Sequence, residues 1–292
     1  MGLRIATNIQ SLTAQRNLSG ASEANQQSME RLSSGYRINR AADDAAGLGM
    51  SEKFKADAKG LNVAKRNAND GISLIQTAEG GLNEVGNILS RLRELAVQSA
   101  SDTIGEAERG FLNKEFTQLR DEVTRISEAT EYNGIKLVNG NGGDEKLLEV
   151  QIGKNYVKDI DSGDQAVNVI KLDFRQINAS VGDEGLAIGG DDLGVGNKAN
   201  AQNSISRLDS AIEKVSGHRA TLGSLQNRLG STINNLAIAI ENTSAANSRI
   251  RDTDFADETA KMTQTSILKQ AGVSVLSQAN SVPSLALRLL GS

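Results

Sequence analysis

The chain has 292 residues, a formal net charge of −4, one histidine, one proline, and no cysteine or tryptophan. Disulfides and cysteine-based metal or redox chemistry are excluded, and the charge balance argues against nucleic acid as the principal partner. Aromatic residues make up 3% of the chain, so thin seams of Leu, Ile, Val and Ala are expected in place of a large aromatic core. The scarcity of proline suits long helices.

Residues 3–32 follow a helical pattern. Ile5, Ile9 and Leu12 share a face that Leu18, Ala21, Met29 and Leu32 continue loosely. Gly35 is placed to end this segment. Residues 33–45 read as an irregular connector, with Asp43 or Asp44 as the next helix N-cap.

From Phe54 to Ala96 every seventh residue is apolar: Phe54, Leu61, Ala68, Ile75, Leu82, Leu89, Ala96. A second column, Ala64, Gly71, Ala78, Val85 and Leu92, joins it at three-four spacing, which makes the seam of a coiled coil. At ~1.5 Å rise per residue this rod reaches roughly 65 Å, so an elongated molecule is expected.

After a break at SASDTIGE, Leu112, Phe116, Leu119, Val123 and Ile126 mark another helix. Asn133-Gly134 signals a turn. Beyond it the period falls to two: Ile135–Val138, then Leu148, Val150 and Ile152, then Ile170, Leu172 and Phe174. Residues 135–175 are therefore expected to form a small antiparallel β element, and the Gly- and Asp-rich residues 176–197 a loop. A further rod begins near Lys198, with Leu208, Val215, Leu222, Leu229 and Leu236 every seven residues and Ile205, Ile212, Ile233 and Ile240 beside them. It matches the 54–96 rod in length and seam, so the two should pack side by side. Residues 245–254 read as a polar joint. The last helix carries its own column, Leu268, Val275, Val282 and Leu289, with Pro283 inside it.

The expected fold is mainly α: an elongated, nested antiparallel helical bundle or coiled coil with a small antiparallel β element at its distal end. The rod seams read as intramolecular core. The terminal helices have too few large apolar residues to offset the entropy of ordering them. They are expected to become helical only when other subunits surround them.

Candidate chemistry is sparse. His218 falls between seam positions and reads as a surface histidine; a zinc site or a Ser-His-Asp triad needs more. Gly194-Val195-Gly196 lacks the strand that precedes a dinucleotide loop and reads as a flexible loop. Asp159, Asp161 and Asp164 do not keep calcium-loop register and read as a solvated turn. No cofactor, metal or catalytic residue is expected. No apolar run reaches the ~20 residues that cross a membrane, and MGLRIATNIQ lacks the apolar core of a secretory signal. The chain is thus expected in the cytosol or exported without a cleaved signal.

Four stretches carry a family resemblance: RLSSGYRINRAADDAAGLGMSEKF at 31–54, TEYNGIKL at 130–137, GSLQNRL at 223–229, and SRIRDTDFADETAKMTQTSILKQAGVSVLSQANSVP at 248–283. They resemble bacterial flagellins, in a short form without outer domains. The resemblance implies a non-enzymatic structural subunit that self-assembles into the extracellular flagellar filament for motility. It implies export unfolded through the flagellar type III apparatus with its chaperone, and growth at the tip beneath a filament cap, with junction proteins at the filament base. It assigns 1–44 and 245–292 to the terminal helices of the inner tube (D0), 45–175 and 198–244 to the rod domain (D1), and 176–197 to a loop in place of outer domains. The spoke at 33–45 and a β-hairpin at 135–152 would be linked to switching between filament forms. Self-assembly would fall to Ile5, Ile9, Leu12, Leu18, Leu32, Leu268, Val275, Val282 and Leu289. The trunk seam would comprise Phe54, Leu61, Ile75, Leu82, Leu89, Leu208, Val215, Leu222, Leu229 and Leu236. The family motif RxRELAVQ, present from Arg91 to Gln98, implies contact of Arg91, Leu95 and Glu115 with a host innate receptor. Two other classes fit the helical pattern: a hook–filament junction protein and a signalling coiled-coil hairpin. The hairpin needs no β element and leaves the 31–54 signature without a role.

Overall fold

The computed structural model describes the chain except for residues 1–6, 141–146, 156–167, 191–192 and 291–292, and the side chains of 282–290. The elements in order are α1 (Ile9–Ser34), α2 (Ala45–Ser99), α3 (Glu106–Ala129), β1 (Glu131–Tyr132), β2 (Ile135–Lys136), β3 (Leu148–Gln151), β4 (Val169–Leu172), α4 (Lys198–Arg251) and α5 (Phe255–Leu290). Among the described residues the protein is mainly α with two small antiparallel sheets. The chain separates into two compact units, one of Met1–Asp57 with Glu241–Ser292 and one of Ala58–Ile240.

In the second unit the heptad seams become core. Ala68, Ile75, Leu82, Leu89 and Ala96 of α2, and Leu208, Val215, Leu222 and Leu229 of α4, are all buried in one cluster with Phe116 and Val123 of α3. Gly71 of α2 lies against Leu229, and Gly86 against Val215. A step up α2 is therefore a step down α4, and the two rods run antiparallel, as their matched seams predict. Phe54 and Leu61 are only half-buried, and Leu236 is buried, so the closed part of the α2 seam begins near Ala64. Exposed ion pairs flank the seam, Arg93 Nε to Asp209 Oδ1 at 2.6 Å and Lys198 Nζ to Asp102 at 2.7 Å.

The β element differs in detail from expectation. Residues 135–152 do not form one hairpin. β2 pairs back onto β1, with Tyr132 opposite Ile135, through a two-residue turn in which Asn133 and Gly134 have φ of 51° and 79°. Positive φ at both positions matches the strand twist and favours Asn-Gly. β3 pairs with β4, Leu148 opposite Leu172 and Gln151 opposite Val169. Residues beyond β2 run instead beside 177–179, through an Asn139–Asn178 bridge and the Ala179 N–H donating to Val138 O at 2.7 Å. Gly81 makes room for the hairpin, since a Cβ there would meet Thr130 Oγ1 at 2.6 Å.

Residues 176–197 contain no helix or strand among those described, but they are not a loose loop. Ile177, Ala179, Leu186, Ile188 and Val195 are buried in the core cluster. The Gly194-Val195-Gly196 stretch is an anchor: the Val195 N–H donates to Asn113 Oδ1, and its carbonyl accepts from Ser99 Oγ. Ser204 Oγ donates to Gly194 O. The expectation of a flexible loop there fails because small, separated apolar residues carry no periodic signal.

In the first unit α1 ends at Gly35, whose φ of 75° is the left-handed cap conformation, with its N–H donating to Arg31 O at 2.9 Å. Asp44 caps α2 by accepting from the Gly47 N–H at 2.8 Å. Gly47 is required there because a Cβ would meet Asp44 Oδ2 and buried Ile38. The polar joint read at 245–254 is shorter than expected: α4 continues to Arg251, and α5 starts at Phe255 and runs through Pro283 to Leu290.

Candidate functional site

The first unit holds the feature that needs a functional explanation. α1 and α5 lie antiparallel, with Cα atoms within 8 Å along the pair. At one end the Asn8 side chain donates to Ala279 O at 2.8 Å and Ser11 Oγ to Asn280 Oδ1 at 2.7 Å. Midway, Gly272 sits against Leu18. At the other end Asn25 Nδ2 donates to Met262 O and Thr265 Oγ1, both at 3.2 Å, and Ser28 Oγ donates to Glu258 Oε1 at 2.6 Å. Arg31 Nη1 lies 3.7 Å from the other Glu258 oxygen.

The inner face of α1 is thus Ser11, Ala14, Leu18, Ala21, Asn25, Ser28 and Leu32, a heptad face made mostly of small and polar residues. Small residues let the backbones approach closely. Other large apolar side chains of the pair lie outside the seam: Ile9 is 61% exposed, Leu12 52%, Ile267 61%, Leu268 52% and Val275 57%. Val273 and Met29 are exposed with them. A groove lined by Ile9, Ala14, Asn17, Val275 and Ala279 runs over the pair.

The expected self-assembly residues therefore divide. Leu18 and Leu32 lie half-buried in the intramolecular seam; Ile9, Leu12, Leu268 and Val275 lie outside it. Sequence pattern merged the two faces of α1 because Leu and Ile occur on both. The column Leu268–Val275 is an outer column and not the seam with α1; the true α5 seam of Glu258, Met262, Thr265, Gly272, Leu276 and Ala279 is too polar and too small to register as one. Ile5, and the side chains of Val282 and Leu289, lie outside the described residues.

Where α1 and α5 meet their neighbours, the two connectors pair. Tyr36 bridges Asp252; the Arg37 N–H donates to Arg251 O at 2.7 Å, and the Thr253 N–H to Gly35 O at 3.0 Å. Arg251 bonds Glu52 at 2.7 Å and stacks its guanidinium 4.6 Å from the Tyr36 ring centroid. Buried Arg31 Nε, Ser51 Oγ, Asn247 Oδ1 and Arg251 Nε have no hydrogen-bond partner among the described residues. Asp43 accepts from the Arg40 and Asn39 N–H groups at 3.0 and 3.1 Å. Those two bonds hold its carboxyl below the usual carboxylate range.

On the second unit Arg91 bonds Glu115 at 2.8 Å and Glu94 at 2.9 Å on an exposed face. The carboxylate partners, Glu115 first, raise the Arg91 pKa above its ordinary value. Leu95, grouped with these two by the family motif, is 1% exposed and belongs to the core. It is not available for surface contact, because the α2 seam broadens at 92–96 to cover α3. His218 is half-buried on α4, and burial lowers its pKa, with Lys214 adding to the effect. Among the described residues no group of three or more His, Cys, Asp or Glu is placed to hold a metal ion, and no helix is long and apolar enough to cross a membrane. Asp159, Asp161 and Asp164 lie outside the described residues.

Residues 5–142 match the bacterial flagellin N-terminal helical region, and residues 205–290 the bacterial flagellin C-terminal helical region. Over the full length of both chains the protein is similar to Flagellin D of Vibrio cholerae serotype O1 and to Flagellin C of Vibrio anguillarum, each at 38% identity. These alignments extend over 377 positions against 292 residues here, so the relatives carry sequence that this chain lacks. A solved flagellar hook-associated protein from Vibrio parahaemolyticus covers 72% of this chain and 100% of its own at 14% identity and a TM-score of 0.55, which is a likeness of fold. With both terminal helical regions matched and the full-length relatives agreeing, the chain belongs to the bacterial flagellins, the structural subunits of the flagellar filament.

Proposed function

We propose that the outward apolar faces of α1 and α5 are the self-assembly surface of this subunit, and that these helices become stably ordered when neighbouring subunits cover them. The carrying observation is the exposure of Ile9, Leu12, Leu268 and Val275 on a helix pair whose inner seam is small and polar. Exposed contiguous apolar surface of this kind marks an interaction site. In this reading residues 1–44 and 245–292 form the inner tube, 45–175 and 198–244 the rod around it, and 176–197 the short link that stands where other members carry outer domains. The subunit performs no catalysis. It leaves the cell through the flagellar export apparatus, escorted by a chaperone and without cleavage of a signal, and joins the filament beneath the cap and beyond the junction proteins. Contact with a host innate receptor falls to Arg91 and Glu115, which are exposed.

Seeded growth tests the reading. Purified protein added to short filament seeds at high salt should extend them into long tubes by negative stain. A signalling hairpin would stay a dimer or small cluster, and a junction protein would fail to extend the seeds. Leu268→Asp and Val275→Asp should each abolish extension while leaving the circular dichroism of the rods nearly unchanged. Extension by either variant would refute the assignment of the outer faces.

A further inference from the structure

We infer that the polar seam between α1 and α5, Asn25, Ser28, Arg31 and Glu258 above all, is a register key that permits only one alignment of the two terminal helices as they enter the filament. The inference rests on the assembly reading above and adds to it which residues set the pairing.

The outer faces carry little alignment information. Ile, Leu and Val side chains on an exposed helix can pack against an apolar neighbour in several registers, because dispersion and burial are non-directional. A seam of the same residues would let α1 slide on α5 by a heptad, or pair with the α5 of another copy, at small cost. The seam present is of another kind. Asn25 reaches both Met262 O and Thr265 Oγ1. Ser28 donates to Glu258, which is 3% exposed, and Arg31 supplies the nearby positive charge. The Asn25 and Ser28 bonds are all made in the observed alignment and Glu258 has its counter-charge there, although Arg31 Nε is unpaired among the described residues. After a slip of one heptad, Ser11 would face Val273, and Glu258 would face Ala21 in place of Ser28 and Arg31. That leaves a buried carboxylate without donor or counter-charge, the kind of defect that specifies register in coiled coils. Glu258 also sits in the first turn of α5 and Arg31 in the last turn of α1. Each charge complements its own helix dipole in any alignment, but the two charges meet, Arg31 Nη1 3.7 Å from Glu258, only when the helix ends align. Inside the filament, where covered outer faces exclude water, the penalty for misalignment grows.

The cysteine-free chain allows a direct test. Two reporter pairs are introduced, S11C with N280C for the observed register and S11C with V273C for the slipped one. Each is placed in the native seam and in a seam carrying N25L, S28L and E258L. Every protein is grown as a small minority into wild-type filaments from seeds, oxidised, and analysed for intramolecular and intermolecular disulfides. The native seam should cross-link through 11–280 with the 11–273 adduct undetected. The apolar seam should give both adducts in comparable amounts, with intermolecular species besides. Slipped adducts in the native seam, or none in the apolar seam, would overturn the inference. Exclusion of the apolar-seam protein from filaments would overturn it as well, because its intact outer faces should still be recruited. Failure of wild-type protein to extend the seeds is a separate result and counts against the assembly reading itself.

Discussion

The two antiparallel helix pairs of this protein invert one another. Between α2 and α4, Leu, Ile and Val fill the seam and charged pairs such as Arg93–Asp209 lie outside. Between α1 and α5 the seam is mostly Ala, Gly, Ser, Asn and a carboxylate, with half-buried Leu18, Leu32, Met262 and Leu276 among them, and Ile9, Leu12, Ile267, Leu268 and Val275 lie outside. Backbone spacing follows: Cα atoms of α1 and α5 approach within 8 Å along the pair, and few of α2 and α4 do. One pair is a finished core that water can surround. The other leaves large apolar side chains exposed, the surface proposed above to meet further copies of the chain. The lesson is that a heptad pattern states that a stripe will be buried, but not by what.

The sharpest way to break this comparison is Leu82→Asp. It places an uncompensated charge at a fully buried position and should cost several kcal/mol, read as a large drop in the melting temperature of the monomer. An unchanged melt would show that the α2–α4 seam is not the core. Leu222→Ala, on the facing rod, should cost about 2–5 kcal/mol by transfer and cavity terms, measured by denaturant unfolding; a loss under ~0.5 kcal/mol would mean that the seam is loosely packed.

Ala14→Leu asks whether close approach matters in the other pair. It overfills a buried seam position, with an expected penalty of about 1–3 kcal/mol. The penalty should appear in thermal dissociation of filaments and be absent from monomer unfolding. A monomer effect as large as the filament effect would show that α1 and α5 are already packed before assembly.

Asp43 gives a smaller, pH-resolved effect. Its folded pKa lies below the ordinary value through bonds from the Arg40 and Asn39 N–H groups. The ionised form therefore stabilises the joint at pH above the unfolded carboxylate value of ~3.9, and that contribution is lost as pH falls through the lowered folded value. Asp43→Asn should be less stable than wild type at neutral pH, and the gap should close in acid. A pH-independent gap would assign the role of Asp43 to geometry alone. Smallest of all, Val275→Asp should move the monomer melt by less than ~0.5 kcal/mol, as for any exposed position, despite its expected effect on filament growth.

Much of this was legible in the chain. The long rods, the Gly35 stop, a cap at Asp43 or Asp44 and the Asn133–Gly134 turn all follow from local rules: repeated apolar spacing, a residue able to take positive φ, a side chain able to accept from a helix N-terminus. Partner choice was not legible. Leu148–Gln151 alternates as a strand whether it pairs with 135–138 or with 169–172, and only the fold selects the latter. Val195 stands between two glycines in a stretch that looks mobile, yet Asn113 and Ser99, distant in sequence, hold it in the core. Leu95 carries a family motif that suggests a surface role, and packing buries it.

The amino-acid order alone determined which segments are helical, where α1 stops, and which family the chain resembles, because those depend on neighbours within a few residues. Tertiary structure decided which apolar stripe closes inside the molecule and which remains outside. That outcome depends on side-chain size and hydrogen bonding between segments as far apart as Ser28 and Glu258, and no periodicity within either helix contains it.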